Sequence, residues 1–282
     1  HSQSITAVFI VLQLLSAFNA EGQISHTSNI IYVAKDGLGF HSIQAALDSI
    51  TDASEDNPYL VNVAPGVYEE RVRLKDYVVI QGQGRRLTTI KFEGYYALKT
   101  VGSGPKELRS LTLECTGGRG GCLQALTALT VEDVTVRALG AKPVAIGHCD
   151  ADLTLKDVSL EVLPHSAVGS CGGKGIATIR ECTLPVAFND LLLDDVSILF
   201  GDRVCSAGGI GIEPPMGNRN FRMSDSEIIT KGEAGSIGIL GTSGSTDLRN
   251  VRISAEHALR TSMGDVTVRY SDVIGSIETS LL

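Results

Sequence analysis

The 282-residue chain contains no tryptophan, and its aromatic residues amount to only 5%. Lysine and arginine never cluster into a run, and the formal net charge is −8 with a pI near 5.3. An acidic surface without a basic track has no means of neutralising a phosphate backbone, so nucleic acid is excluded as a partner. None of the six cysteines stands in a C-x-x-C pair, and the six histidines (His1, His26, His41, His148, His165, His257) show no H-x-H or i, i+4 pairing. The usual spacings of a zinc site are therefore missing, and no metal or other cofactor is expected. The glycine run from Gly117 to Gly121 has no Lys-Ser/Thr behind it, so it is a turn rather than a phosphate loop.

Long hydrophobic runs are also absent, with one exception from Ile5 to Phe18. As a helix those residues rise about 21 Å, short of the roughly 30 Å of a bilayer core. Two readings stand for residues 1–20. One is a signal peptide or anchor, though no basic stretch precedes it and Phe18 spoils a small-x-small cleavage site before Ala20. The other is an assembly helix, with Ile5, Val8, Phe9, Val11, Leu12, Leu14 and Leu15 packing in the core of a polymer. That layout resembles type IV pilins, although Ile5 stands where bacterial pilins carry a glutamate. Residues 21–30 read as a linker, and 31–282 as one further domain.

What the chain does have is 31 glycines, 43% hydrophobic residues and an internal repeat. The pattern apolar-x-x-apolar-x-apolar begins at Leu108, Val131, Leu155, Ile179, Leu193 and Leu248, and more loosely at Met223 and Val268. The first three intervals are 23, 24 and 24 residues; between 185 and 222 the register is irregular, with Glu213-Pro214-Pro215 marking an inserted loop. A second phrase, Pro143 to Cys149, matches His165 to Cys171 one repeat later. Repeats of this length close one coil of short strands, and stacking the coils buries a continuous core that no single coil can bury alone. The fold class is all-β, a parallel β-helix. Ser42 to Thr51 reads as its amphipathic cap, with Ile43, Ala46, Leu47 and Ile50 on one face.

Stacking the second phrase would set Cys149 beside Cys171, within disulfide reach. Cys115 and Cys122 would bridge locally, leaving Cys182 with Cys205; buried free thiols are the alternative for each pair. Asp133, Asp157, Glu181, Asp195, Asp225 and Asn250 recur in one slot, which reads as a turn ladder rather than a ligand site. The preceding slot offers Arg109, Lys156, Arg180, Arg249 and Arg269 as counter-charges.

Three phrases in residues 31–90 resemble the N-terminal part of the pectinesterase family of pectin-lyase-like right-handed β-helices. They run from Ile31 to Ile50, from Val61 to Leu74 with Gly66, Tyr68 and Glu70, and from Val79 to Ile90 with Gly82 and Gly84. The resemblance implies a secreted fold of that type. The family's chemistry, hydrolysis of methyl esters on polygalacturonate, requires two aspartates, a glutamine, an arginine and a tryptophan. Gln124 resembles the glutamine, set here in a glycine-rich loop, but Ser197 stands where the phrase Val196 to Gly201 resembles the family's nucleophile-bearing strand. The tryptophan has no counterpart.

Asp195, Asp202 and Arg203, with Gln124, are the residual catalytic candidates. The leading expectation is a non-catalytic extracellular structural protein, a subunit of a homopolymeric surface filament with the β-helix outside. It would partner itself and surface polysaccharide, and meet a membrane only through the N-terminal segment before assembly. The alternative is a secreted carbohydrate-active enzyme or a glycan-binding adhesin.

Overall fold

A computed structural model describes residues 29–116, 121–140, 142–149, 151–164, 172–178, 190–200, 209–213, 220–230, 235–241, 244–261 and 265–279. The segment 1–28, with its assembly residues, lies outside them, as do Glu181, Cys171, Cys182, Cys205, Asp202 and Arg203. The first strand is Asn29–Val33, so ordered pairing begins two positions before the expected boundary at residue 31.

Every named strand pairing is parallel, and the pairings resolve into three sheets that run the length of a right-handed β-helix. One inward column per sheet shows the construction. In the first sheet Val61, Ile80, Leu108, Val131, Leu155, Leu193, Met223 and Leu248 stack in register. The second stacks Tyr68, Ile90, Leu113, Val136, Leu160, Ile198, Ile228 and Ile253. The third stacks Val72, Leu98, Leu123, Ile146, Ile176, Ile212, Ile239 and Leu259. All of these side chains are buried. Each contributes on the order of 1.5–3 kcal/mol of apolar burial, which only the neighbouring coils make available.

The repeating pattern is the corner between the first and second sheets. Ser110, Asp133, Asp157, Asp195, Asp225, Asn250 and Tyr270 occupy its third position, and each has φ between 49° and 53°. One left-handed residue per coil turns the strand, and Asp and Asn adopt that conformation at lower cost than other side chains. The turn-ladder reading of this slot therefore holds for the described members.

Two stacking expectations fail. Leu155 pairs directly with Leu193, with no rung between them; the expected rung, Ile179, lies outside the described residues. The phrase Pro143 to Cys149 does not lie on His165 to Cys171 either, because Val144–His148 pairs with Lys174–Thr178. The reason is a steric column that the sequence pattern conceals. Ala145, Gly175, Gly211, Gly238 and Ala258 occupy one slot of the third sheet, judged from the flanking pairs. A Cβ on Gly211 would sit 2.5 Å from both the Gly238 carbonyl oxygen and a methyl of Ile228, and Gly238 faces Ala258 and Ile253 in the same way. A Cβ on Gly175 would likewise sit 2.5 Å from the Gly211 carbonyl oxygen and 2.7 Å from an Ile198 methyl, so Gly175-Ile176 fits a place that the alanine of Ala167-Val168 would overfill.

The N-terminal end is closed by the helix Ile43–Ser49, which buries Ile43, Ala46 and Leu47, with Ile50 buried just beyond it, as the amphipathic spacing requires. Ser42 is the N-cap, its side chain accepting the Ala45 N–H at 3.2 Å.

Candidate functional site

The acidic corner carries a dense set of chemically capable side chains, and Asp133, Asp157 and Asp225 are held by partners there. Arg85 leaves the turn after Gly82 and runs down the corner past Ser110. Its Nε lies 2.6 Å from Asp133 Oδ1 and its Nη2 lies 2.5 Å from Asp157 Oδ1. Arg85 also donates to the Asp157 carbonyl, and its own carbonyl accepts Thr112 Oγ1 at 2.6 Å. The expected counter-charge in the preceding slot is corrected: Arg109 pairs with Glu107, and with Glu132 at 3.8 Å. Arg109 turns to those residues, whereas the corner residues Asp133 and Asp157 meet Arg85.

Farther along, a stacked neighbour answers four of the acids. Asn220 Nδ2 donates to Asp190 Oδ1 at 2.9 Å, and Ser224 Oγ to Asp194 Oδ1 at 2.7 Å. Asn250 Nδ2 donates to Asp225 Oδ1 at 2.6 Å, and Ser197 Oγ to Glu227 Oε1 at 3.3 Å. Asp195, Ser197, Asp225, Glu227 and Arg252 line an open depression of about 340 Å³. Ser197 lies on the outer side of the second sheet, stacked between Ser159 and Glu227.

Gln124 is not brought to this place. It lies on the third-sheet strand Leu123–Ala125 rather than in a loop, in register with Lys99 and Gly147, and is buried. The candidates Asp195 and Gln124 therefore sit on different faces, while Asp202 and Arg203 lie outside the described residues. His148, buried, has Nε2 2.6 Å from the Ala151 carbonyl oxygen, and His257 Nδ1 is 2.7 Å from Glu278. Neither histidine contacts Ser197 through any of these bonds. Among the described residues no group of three or more His, Cys, Asp or Glu is arranged to hold a metal ion.

The expected local bridge between Cys115 and Cys122 is also corrected. Both are free, buried thiols. Cys115 occupies a core slot of the second-sheet strand, and Cys122 donates instead to the Arg137 carbonyl at 3.7 Å. Burial first, then the neighbouring Cys115, raises the Cys122 thiol well above its ordinary value. Cys149 is not among the free thiols. Its expected partner Cys171 and the pair Cys182–Cys205 fall outside the described residues.

Besides Arg85, a second charged group leaves no mark in the repeating pattern. Lys106 takes an inward slot between Val78 and Leu129 and is 1% exposed. Its ammonium lies 2.5 Å from Asp76 Oδ1 and donates to the Gly104 carbonyl at 2.6 Å. Burial pulls the Lys106 ammonium down, against the pull of Asp76. Burial alone would raise the Asp76 carboxyl; the Lys106 hydrogen bond and the Ser103 and Gly104 amides outweigh it and hold the group below its ordinary value. Gly102 is the one local signal: at φ +84° its Cβ would meet Asp76 Oδ2 at 2.2 Å.

No family model matches the chain, and no curated protein does. Solved structures of pectin methylesterases share its overall course. The enzyme from carrot is 13% identical over 91% of each chain, with a TM-score of 0.48. The Aspergillus niger enzyme in deglycosylated form is 14% identical over 90% of this chain and 92% of its own, at 0.47. Pectin methylesterase PemA from Erwinia chrysanthemi is 13% identical over 82% and 81%, at 0.43. The strand pairings themselves make the chain a right-handed parallel β-helix; its chemistry has to be argued from its own side chains.

Proposed function

We propose that this protein is a non-catalytic, extracellular structural β-helix that associates with copies of itself. The observation that carries the reading is apolar surface on the coils at both described ends: Ile30 is 45% and Tyr32 59% exposed in the first strand, and Val268 42%, Tyr270 87%, Ile274 50% and Ile277 61% in and between the last two. Exposed apolar surface of this kind favours contact with another protein surface. The last two strands also carry both signs of charge, Arg269 and Asp272, so a second copy meeting them in the antiparallel sense finds opposite charges. Residues 1–20 would add the assembly helix of a surface filament.

The non-catalytic part of the reading rests on the corner acids Asp133 and Asp157, held by Arg85, and Asp225, held by Asn250. Sedimentation and negative-stain microscopy of the full chain test the association. Oligomers that dissociate in Ile277→Lys, with unchanged circular dichroism, support it; a monomer at every concentration overturns it. A second reading, a carbohydrate-active enzyme, is favoured by the depression that joins Ser197, Glu227 and Arg252, and it requires turnover on a glycan ester.

A further inference from the structure

Independently of that reading, the outer side of the third sheet beside the capping helix carries a charge arrangement foreign to the rest of the molecule. In the strand Val72–Leu74 the apolar residues are buried, so strand alternation turns Arg71, Arg73 and Lys75 outward together, about 7 Å apart. With Gln44, Asp48 and Val101 they line an open groove of about 470 Å³. Lys99, on the strand Leu98–Thr100 that pairs with Val72–Leu74, adds a fourth cation. Among the described residues none of the four has a carboxylate within ion-pairing distance. Asp48, the single acid in the groove, accepts from Gln44 Nε2 at 2.8 Å.

The cations are held in place by the fold. The Arg71 guanidinium lies 4.5 Å from the Phe92 ring centre and 4.8 Å from that of Tyr96, and Lys99 lies 5.8 Å from Tyr96. Lys75 donates to the Leu47 and Ile50 carbonyls at 2.8 and 3.0 Å, which leaves one of its three N–H groups for the groove. Gln44 is fixed by the Arg73 N–H, donated to its Oε1 at 2.7 Å. Tyr95, next in sequence to Tyr96, is 63% exposed. Guanidinium forks match planar or tetrahedral oxyanions, and an exposed ring offers a face for the C–H side of a sugar. On a chain of net charge −8, three cations in one groove, a fourth on the paired strand and the exposed ring next to Tyr96 point to a ligand.

We propose that this groove binds a segment of an anionic polysaccharide, with Arg71, Arg73, Lys75 and Lys99 taking its sulfate or carboxylate groups and Tyr95 taking a sugar ring. A sugar chain is favoured over nucleic acid because the basic patch is short and the surrounding surface is acidic.

The test is fluorescence polarisation of the full chain at low salt with labelled heparin and alginate oligosaccharides, with dextran and single-stranded poly-uridine as comparisons. The expected result is salt-sensitive binding to heparin, alginate or both, and none to dextran. A preference for heparin identifies sulfate as the recognised group; equal or tighter binding of alginate identifies carboxylate. Arg73→Glu and Lys99→Glu should each weaken binding roughly tenfold or more, while the distant Arg249→Glu changes it little. Arg73→Gln and Tyr95→Ala, milder at this exposed face, should show smaller losses without change in thermal midpoint. No binding by the native chain, equal loss in Arg249→Glu, or tighter binding of poly-uridine would overturn the proposal.

Discussion

Glu70 accepts the backbone N–H of Ile43 at 2.8 Å, from a strand corner far along the chain. The same carboxylate accepts the Gln44 N–H at 2.9 Å and the Ser42 hydroxyl at 2.6 Å. At the opposite end of the helix Lys75 binds the last carbonyls. A seven-residue helix has no stability of its own, so the coil beneath it supplies an anion at its N-terminus and a cation at its C-terminus. Glu70→Ala should cost about 1–3 kcal/mol in urea unfolding, because two amides lose a charged acceptor. Lys75→Met should cost about 1 kcal/mol or less.

The glycine column predicts an unusual sensitivity to a single methyl group. Gly238→Ala would force a Cβ to 2.5 Å from the Ala258 carbonyl oxygen and from an Ile253 methyl. Denaturant midpoints should fall by the equivalent of about 1–3 kcal/mol. Gly241→Ala is the useful comparison, since nothing lies within 4 Å there and only its φ of +74° opposes the change.

At Asp157 two effects separate by choice of side chain. Asp157→Asn keeps a residue suited to φ 49° and gives up the Arg85 ion pair, which is more than half exposed on the Asp157 side. Its cost should be below about 1 kcal/mol and should shrink further in salt. Asp157→Val adds a β-branched side chain at positive φ and should cost a further ~1–2 kcal/mol that salt does not change.

The buried Lys106 gives the acid response its sign. Asp76 has its carboxyl held below the ordinary value, so its contribution is fully present above the unfolded carboxylate value near 3.9 and is lost as pH falls through the lowered folded value. Asp76→Asn should remove that part of the acid-unfolding curve. At neutral pH it should also cost about 3 kcal/mol by leaving an ammonium buried beside a neutral group. The double variant Asp76→Asn with Lys106→Met should recover much of that loss. Circular dichroism across pH 2–7 measures both effects.

How legible these features were depends on the range over which each is encoded. The corner pattern from Leu108 to Leu113 and the face Ile43, Ala46, Leu47 and Ile50 are local periodicities, visible in a window of a few residues. The stacking of Val144–His148 on Lys174–Thr178 is not local. It is decided by the space beside Ile198, Ile228 and Ile253, and its sequence trace is only the recurring Gly-Ile at 175–176, 211–212 and 238–239. The corner pattern at Ile179 predicts a rung between Leu155 and Leu193, but those two pair directly, because a match to the pattern does not encode which strand lies beside it. Arg85 and Lys106 were hidden for a similar reason: their partners lie in other coils. Gln124 matched a family phrase by residue type and then proved to be buried in another sheet.

The measurement that bears most directly on the central claim is methanol release from highly methylated polygalacturonate by the purified full chain, followed across neutral and mildly acidic pH. A non-catalytic β-helix releases none above the buffer rate, and Ser197→Ala, Glu227→Gln and Asp195→Asn leave that result unchanged. Steady turnover that any one of those substitutions abolishes would contradict the account and make the depression around Ser197 an active site.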